Sequence, residues 1–127
     1  MAVETMDNFD RIVVLSTQQQ QGTYPIIQCP NGKTLKIFKL EYWNRRENAG
    51  AYGANNIVVG IGATNAAITT VKDICGFQAV AVPVAIVNYI PKNTNDMKAP
   101  LFKVDSGQWL NFESTYECAV VVTLLVE

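Results

Sequence analysis

Apolar and polar residues alternate over short segments of the chain, and turn-forming residues separate these segments. In segment 108–114 Leu110 and Phe112 share one face, and in segment 117–126 the even-numbered positions are apolar. A period of two is typical of half-buried β-strands, and turns are indicated at 30–32 (PNG) and 105–107 (DSG). Many short strands with at most one short helix predict an all-β fold, a jelly-roll-like antiparallel β-sandwich of seven to eight strands.

Local structure is harder to predict in two segments of the chain. Segment 64–76 fits either a short helix, capped by Asn65 and ended by Gly76, or a strand. Segment 79–90 has a regular period of two, but Pro83 cannot donate to a β-ladder, so we expect an edge or a bulge there. Segment 91–100 (PKNTNDMKAP) is predicted to be a polar loop.

Several strands look apolar or small on both faces. In segment 79–90 the even face is bulky, whereas the odd face is small, so we expect another element to approach it. Gly60 and Gly62 indicate a strand that needs close backbone approach, because the dinucleotide fingerprint they resemble lacks its third glycine. The apolar positions predicted to face outward are Leu35, Ile37, Val58, Gly60, Gly62, Ala79, Ala81, Pro83 and Ala85. Surplus apolar surface predicts a protein–protein interface.

Composition and charge narrow the possible functions. The 127 residues are 49% hydrophobic and 17% charged, with a formal net charge of −1. This balance makes nucleic acid an unlikely partner, and the basic residues of 33–46 do not form one stripe because Lys36 and Lys39 point to opposite faces. No apolar run approaches the length of about 20 residues that a membrane-spanning helix needs. We therefore expect a polar N-terminal arm over 1–10 and one sandwich domain over 11–127.

No set of residues predicts catalysis or metal binding. The chain has no histidine, so histidine bases and histidine metal ligands are excluded. Cys29, Cys75 and Cys118 lie far apart in the sequence, which favours buried free thiols in a reducing compartment. We therefore expect no enzyme activity, no cofactor and no metal site.

Two stretches resemble a known class of proteins. These are the polar start at 4–10 (ETMDNFD) and the ending at 105–127 (DSGQWLNFESTYECAVVVTLLVE), together with the Gly/Asn/Ala-rich loops. The sequence resembles the small β-sandwich virion structural proteins of bacteriophages, the decoration, cement or minor capsid proteins. The resemblance implies a homo-oligomer, often a trimer, that binds another capsid protein in the virion after assembly in a reducing host cytoplasm.

The candidate interface residues follow from this hypothesis. Trp, Tyr and Arg are enriched at interface hot spots, and loops often carry recognition. The candidates are Trp43, Arg45, Arg46 and Tyr52, with Ala81 and Pro83 on the small face of their segment. The alternative is a carbohydrate- or ligand-binding β-sandwich that uses Trp43, Tyr52, Trp109 or Tyr116 as a stacking platform, and an enzyme ranks last.

Overall fold

The computed structural model describes residues 9–16, 22–46, 50–52, 55–77, 80–82, 86–93 and 98–127. Every regular element in this part of the chain is a β-strand. The strands are β1 (Asp10–Ser16), β2 (Gly22–Gln28), β3 (Leu35–Arg46), β4 (Gly50–Tyr52), β5 (Asn55–Gly62), β6 (Thr70–Phe77), β7 (Val80–Val82), β8 (Ile86–Asn93), β9 (Phe102–Val104), β10 (Trp109–Ser114) and β11 (Cys118–Val126). Of the predicted N-terminal arm, residues 1–8 lie outside the described residues, and Asp10 already belongs to β1.

The strand pairing is nested, as in a long hairpin that has been rolled up. β1 pairs with β11, β2 with β10, β3 with β8 and β5 with β6, all antiparallel. Two sheets result, with strand orders β1-β11-β3-β8 and β2-β10-β5-β6. We call them the first and the second sheet. This is the arrangement of a jelly roll, and the predicted antiparallel β-sandwich is confirmed.

Three short strands add to this frame. β9 pairs with the beginning of β3 and so continues the first sheet next to β8. β4 and β7 form a separate two-stranded ladder. The predicted single strand over 79–90 is therefore divided between β7 and β8, and β8 continues to Asn93. Residues 91–93, predicted as the start of a loop, therefore belong to β8.

The core lies between the two sheets and follows the predicted alternation in the last two strands. Leu110 and Phe112 of β10 are fully buried, and so are Cys118, Val120 and Val122 of β11. They pack with buried side chains of the facing strands, including Leu40, Tyr42, Ile57 and Val59. Each large aliphatic or aromatic side chain buried in this way contributes about 1.5–3 kcal/mol of stabilisation.

The two predicted turns lie side by side at one end of the sandwich. Gly32 and Gly107 have φ angles of 75° and 79°, a backbone region that favours glycine. The Gly32 amide donates to Ser106 Oγ at 2.8 Å, and the Gly107 amide donates to the Cys29 carbonyl at 3.0 Å. The turns thus tie the end of β2 to the start of β10.

A bulge in β3 overturns the prediction that Leu35 and Ile37 face outward. Along β11, Thr123 pairs with Lys39, but the next residue, Leu124, pairs with Ile37, so Phe38 is the extra residue. One inserted residue reverses which face the preceding side chains take. Leu35 and Ile37 therefore point into the core and are fully buried.

Segment 64–76, for which the sequence favours neither helix nor strand, contains no helix. Residues 63–69 form bends and turns, and 70–77 form β6, with Gly76 inside the strand. Residues 63–69 fold over Gly60 and Gly62, so the close backbone approach predicted for these glycines is confirmed, and their outer surface is covered. No helix in the described residues is long and apolar enough to cross a membrane.

Candidate protein interface

The outward-facing residues of the first sheet stand in rows that run across β1, β11, β3 and β8. Directly opposed residues of antiparallel strands lie on the same face. Because Val120 and Val122 of β11 point into the core, Ala119, Val121 and Thr123 point outward. Each of these three residues is the β11 member of one row.

The first row is apolar over its whole width. The ladder aligns Leu15, Ala119, Trp43 and Tyr89. Leu15 is 50% exposed and Tyr89 is 40% exposed, whereas Ala119 is buried between its larger neighbours. The Trp43 and Tyr89 rings are in tilted contact with a centroid distance of 4.3 Å. This row presents two aromatic rings and a leucine on the outside of the sandwich.

The second row is apolar around one carboxylate. It aligns Val13, Val121, Glu41 and Pro91. Val13 is 56% exposed, and Val121 is buried between Val13 and Glu41. We call six residues of these two rows the outer patch: Val13, Leu15, Trp43, Tyr89, Ala119 and Val121.

Glu41 lies within the outer patch and has three polar partners. The Tyr89 hydroxyl donates to Glu41 Oε2 at 2.5 Å, while Arg11 Nη2 and Lys39 Nζ lie 3.6 Å and 3.9 Å from Oε1. Arg11, Thr123 and Lys39 form the third, polar row. The hydrogen bond to Glu41, with burial as a lesser cause, raises the pKa of Tyr89. The negative charge of Glu41 is therefore compensated by Arg11 and Lys39, which lie in the row next to the outer patch.

Of the sequence-predicted interface residues, Trp43 lies in the outer patch. Arg45 and Arg46 are at the end of β3, paired with Val87 and Ile86. Tyr52 and Ala81 belong to the β4–β7 ladder, where Tyr52 pairs with Val80 and Ala81 with Ala51. Pro83 lies outside the described residues. The structure thus brings Tyr52 and Ala81 into one small ladder, and it places Trp43 on the four-stranded face.

Sequence reasoning missed the other residues of the outer patch. Val13 and Leu15 belong to the strand pattern RIVVLS, in which both faces are apolar, so the alternation did not show which face is buried. A signal for them exists in the odd-numbered positions of 117–126, since Ala119 and Val121 are apolar although the even positions already supply the core. Two adjacent strands with apolar residues on both faces indicate an apolar outer surface.

A second feature lies at the opposite edge of the first sheet. A cavity of about 150 Å³ is lined by Leu40, Lys72, Asp73, Lys92, Leu101 and Phe102. Two of the lining residues bind each other, since Lys92 Nζ lies 3.0 Å from Asp73 Oδ1. The neighbouring Tyr42 hydroxyl donates to Asp73 Oδ2 at 2.5 Å. Burial, followed by the Asp73 hydrogen bond, raises the pKa of Tyr42. This cluster links β6 of one sheet to β3 and β8 of the other.

The cysteines are buried free thiols, as the sequence predicts. Cys29, Cys75 and Cys118 are each almost fully buried and form no disulfide. Among the described residues no group of three or more Cys, Asp and Glu side chains is arranged to hold a metal ion.

The thiols give a direct prediction. Burial raises the pKa of the Cys118 thiol to about 11 and also raises that of Cys75. All three thiols are also shielded from solvent, so we expect them to react slowly with Ellman's reagent near neutral pH in the folded protein and fast in guanidinium. The absorbance time course measures both rates. A thiol that reacts at once in the folded protein contradicts this assignment.

No family model matches the sequence, and neither does any curated protein.

Proposed function

We propose that this chain is a non-enzymatic virion structural protein, a capsid decoration, cement or minor capsid protein, that associates with copies of itself and with another shell protein. The observation that carries the proposal is the outer patch. A sandwich that stays alone in water normally has polar residues on its outer faces, whereas two rows of this face are apolar. Apolar residues grouped on an outer face mark surfaces that other proteins cover.

The arrangement of charge around the outer patch suits burial against a partner. A typical interface has an apolar centre and a polar rim, and a charge that becomes buried must keep its partners. Glu41 already has Tyr89, Lys39 and Arg11 as partners, and the latter two belong to the polar row at the border. Covering the patch therefore leaves no uncompensated carboxylate.

The fold supports the proposal without deciding it. Jelly rolls form viral capsid proteins, but they also form lectins and enzymes, so the function has to be argued from the surface. The virion assignment takes its class of partner from the resemblance of the chain to bacteriophage structural proteins. The outer patch supplies the physical reason for association.

Self-association tests the proposal through Tyr89. We expect the wild-type chain to form oligomers in sedimentation velocity as its concentration rises. Tyr89→Asn removes an aromatic anchor and is expected to weaken association about tenfold, which corresponds to about 1.4 kcal/mol. Ile74→Asn is the matched control, since Ile74 is an exposed apolar residue on an edge strand of the second sheet.

The outcomes separate clearly. A wild-type chain that sediments as a monomer at every concentration contradicts the proposal, and so does a Tyr89→Asn variant that associates as strongly as Ile74→Asn. Circular dichroism of both variants establishes that each is folded before the comparison is made.

The alternative function, a carbohydrate-binding sandwich, also has an observation in its favour. The Trp43–Tyr89 pair is a partly exposed aromatic surface on a sheet face, which suits stacking against a sugar ring. If this alternative holds, a glycan array gives signals that Trp43→Ala abolishes. An array without signals counts against it.

A further inference from the structure

Among the described residues five strands lie at the edges of the two sheets, and four of them carry features that oppose pairing with another chain. These edges are β1, β8 and β9 of the first sheet and β2 and β6 of the second, and β9 has only three residues. β2 contains the exposed Pro25 and β8 the exposed Pro91. In β6 the register shifts at the exposed Lys72. Proline, bulges and edge lysines are the devices that prevent edge-to-edge association.

β1 has none of these devices. It is a seven-residue strand that pairs with β11 from Asp10 to Ser16 without a register shift. Its two charged residues, Asp10 and Arg11, are at its start, and Val13 and Leu15 are among the exposed large apolar residues. A regular apolar edge strand is a template for a further strand.

From this contrast we infer that β1 pairs antiparallel with β1 of a second copy of this chain, about a two-fold axis at Val13. The first sheets of the two copies then become one continuous sheet. The inference rests on the self-association proposed above and adds where two copies meet. An isologous contact of this kind is the commonest interface of homo-oligomers.

The strand sequence is complementary to itself in this register. Val13 faces Val13 of the second copy, Ile12 faces Val14, and Arg11 faces Leu15, so no like charges meet. It is the register that pairs all seven residues, and it keeps the outer face of one copy beside the outer face of the other. The partly buried Ile12 and Val14, which pack against the core, gain cover from the second copy.

The end of the strand also brings no like charges together. In the proposed register Asp10 of the second copy stands opposite Ser16, on the same face. Ser16 is uncharged and buried within its own chain, so the Asp10 carboxylate meets no like charge there.

Disulfide trapping tests the register. Directly opposed residues on antiparallel strands have Cα atoms about 4.5–5.5 Å apart, within the range of a disulfide. We expect Val13→Cys to give a covalent dimer on oxidation, seen on a non-reducing gel, because Val13 faces itself across the axis. Leu15→Cys is the matched control on the same face and is expected to stay mainly monomeric. The natural cysteines are buried and give no background.

A second pair of variants keeps the test decisive. Mixing Arg11→Cys with Leu15→Cys is expected to give a mixed disulfide, whereas Arg11→Cys alone is expected to give little dimer. Equal cross-linking of Val13→Cys and Leu15→Cys overturns the inference, and so does the absence of cross-linking in both experiments. Slow amide exchange of all of β1 in a dilute monomer also overturns it, since another part of the same chain then covers the edge.

The two proposals fail separately. If Tyr89→Asn weakens association but Val13→Cys forms no dimer, the outer patch mediates association and the β1 pairing is wrong. If Val13→Cys cross-links specifically and Tyr89→Asn has no effect, the β1 pairing holds and the outer patch is not an interface.

Discussion

Replacing Asn55 by alanine is expected to lower the free energy of unfolding by about 3 kcal/mol, because the change leaves several buried polar groups without partners. Asn55 is fully buried at the start of β5. Its Nδ2 donates to Asn44 Oδ1 at 2.9 Å and to the Glu117 carbonyl at 3.3 Å. Its Oδ1 accepts from the amides of Thr115 and Tyr116 at 3.2 Å and 3.1 Å. One side chain thus joins β5, β3 and the β10–β11 turn.

The neighbouring residue provides the control for this prediction. Asn56 has the same side chain, directly follows Asn55 in β5 and is exposed. We expect Asn56→Ala to change stability by less than about 0.5 kcal/mol. Urea unfolding, followed by tryptophan fluorescence, measures both midpoints. If the two variants unfold at the same urea concentration, Asn55 does not hold the two sheets and the turn together in the way described.

Much of the fold follows from the alternation of apolar residues and from the turn signals. In β10 and β11 the side chains predicted to point inward are the ones that form the core. The prediction succeeds because apolar residues recur at every second position of both strands. The PNG and DSG turns are confirmed because their glycines take φ angles that other residues rarely adopt. The nested pairing joins strands that lie far apart in the chain, such as β1 with β11, and a jelly roll is one of the few ways in which short antiparallel strands form two sheets.

The errors arise where a single inserted residue changes the phase of a strand. Phe38 is the bulged residue of β3 and contacts Phe9 edge to face at 4.9 Å. Alternation alone assigns Leu35 and Ile37 to the face of Lys39, since the sequence carries no mark of the bulge. The bulge is decided by pairing with β11, a contact between distant parts of the chain.

Segment 64–76 shows a related limit of local signals. Asn65 and Gly76 resemble helix caps, yet Gly76 lies inside β6 and pairs with Asn56 of β5. Pairing with β5 overrides the local preference, because an added strand buries more than an isolated short helix can. Pro91 is similar: it indicates a loop, but an edge strand accepts it because its missing amide is not needed by a neighbour.

An apolar outer surface was predicted, and its role as an interface stays a prediction. The outer patch is such a surface, and among the described residues Trp43 is the predicted interface residue that lies in it. Leu35 and Ile37 prove to be core, and Gly60 and Gly62 are covered. The register of β1 with β11 decides which face of β1 points outward. The sequence of either strand alone does not determine that register.

The covered glycines lead to the second large effect, at Gly62. A methyl group there would overlap the carbonyl oxygen of Ala67, a backbone atom that cannot rotate away. That oxygen also accepts a 2.7 Å hydrogen bond from Asn111 Nδ2, which donates to the Thr64 carbonyl at 2.9 Å as well. Asn111 is fully buried, so displacing segment 63–69 removes both partners of its amide group.

Gly62→Ala is therefore expected to destabilise the protein by about 3 kcal/mol, the sum of overpacking and of a buried amide left unpaired. Gly76→Ala is the control: the nearest atom to its methyl group would be Asn56 Oδ1 at 3.3 Å, at the end of an exposed side chain that can turn away. Urea unfolding compares the two variants. Amide exchange adds a local readout, since the Thr69 amide donates to the Ile61 carbonyl at 2.8 Å and should exchange faster in Gly62→Ala. Equal stability of both variants, with Thr69 still protected, would show that segment 63–69 does not press on the sheet at Gly62.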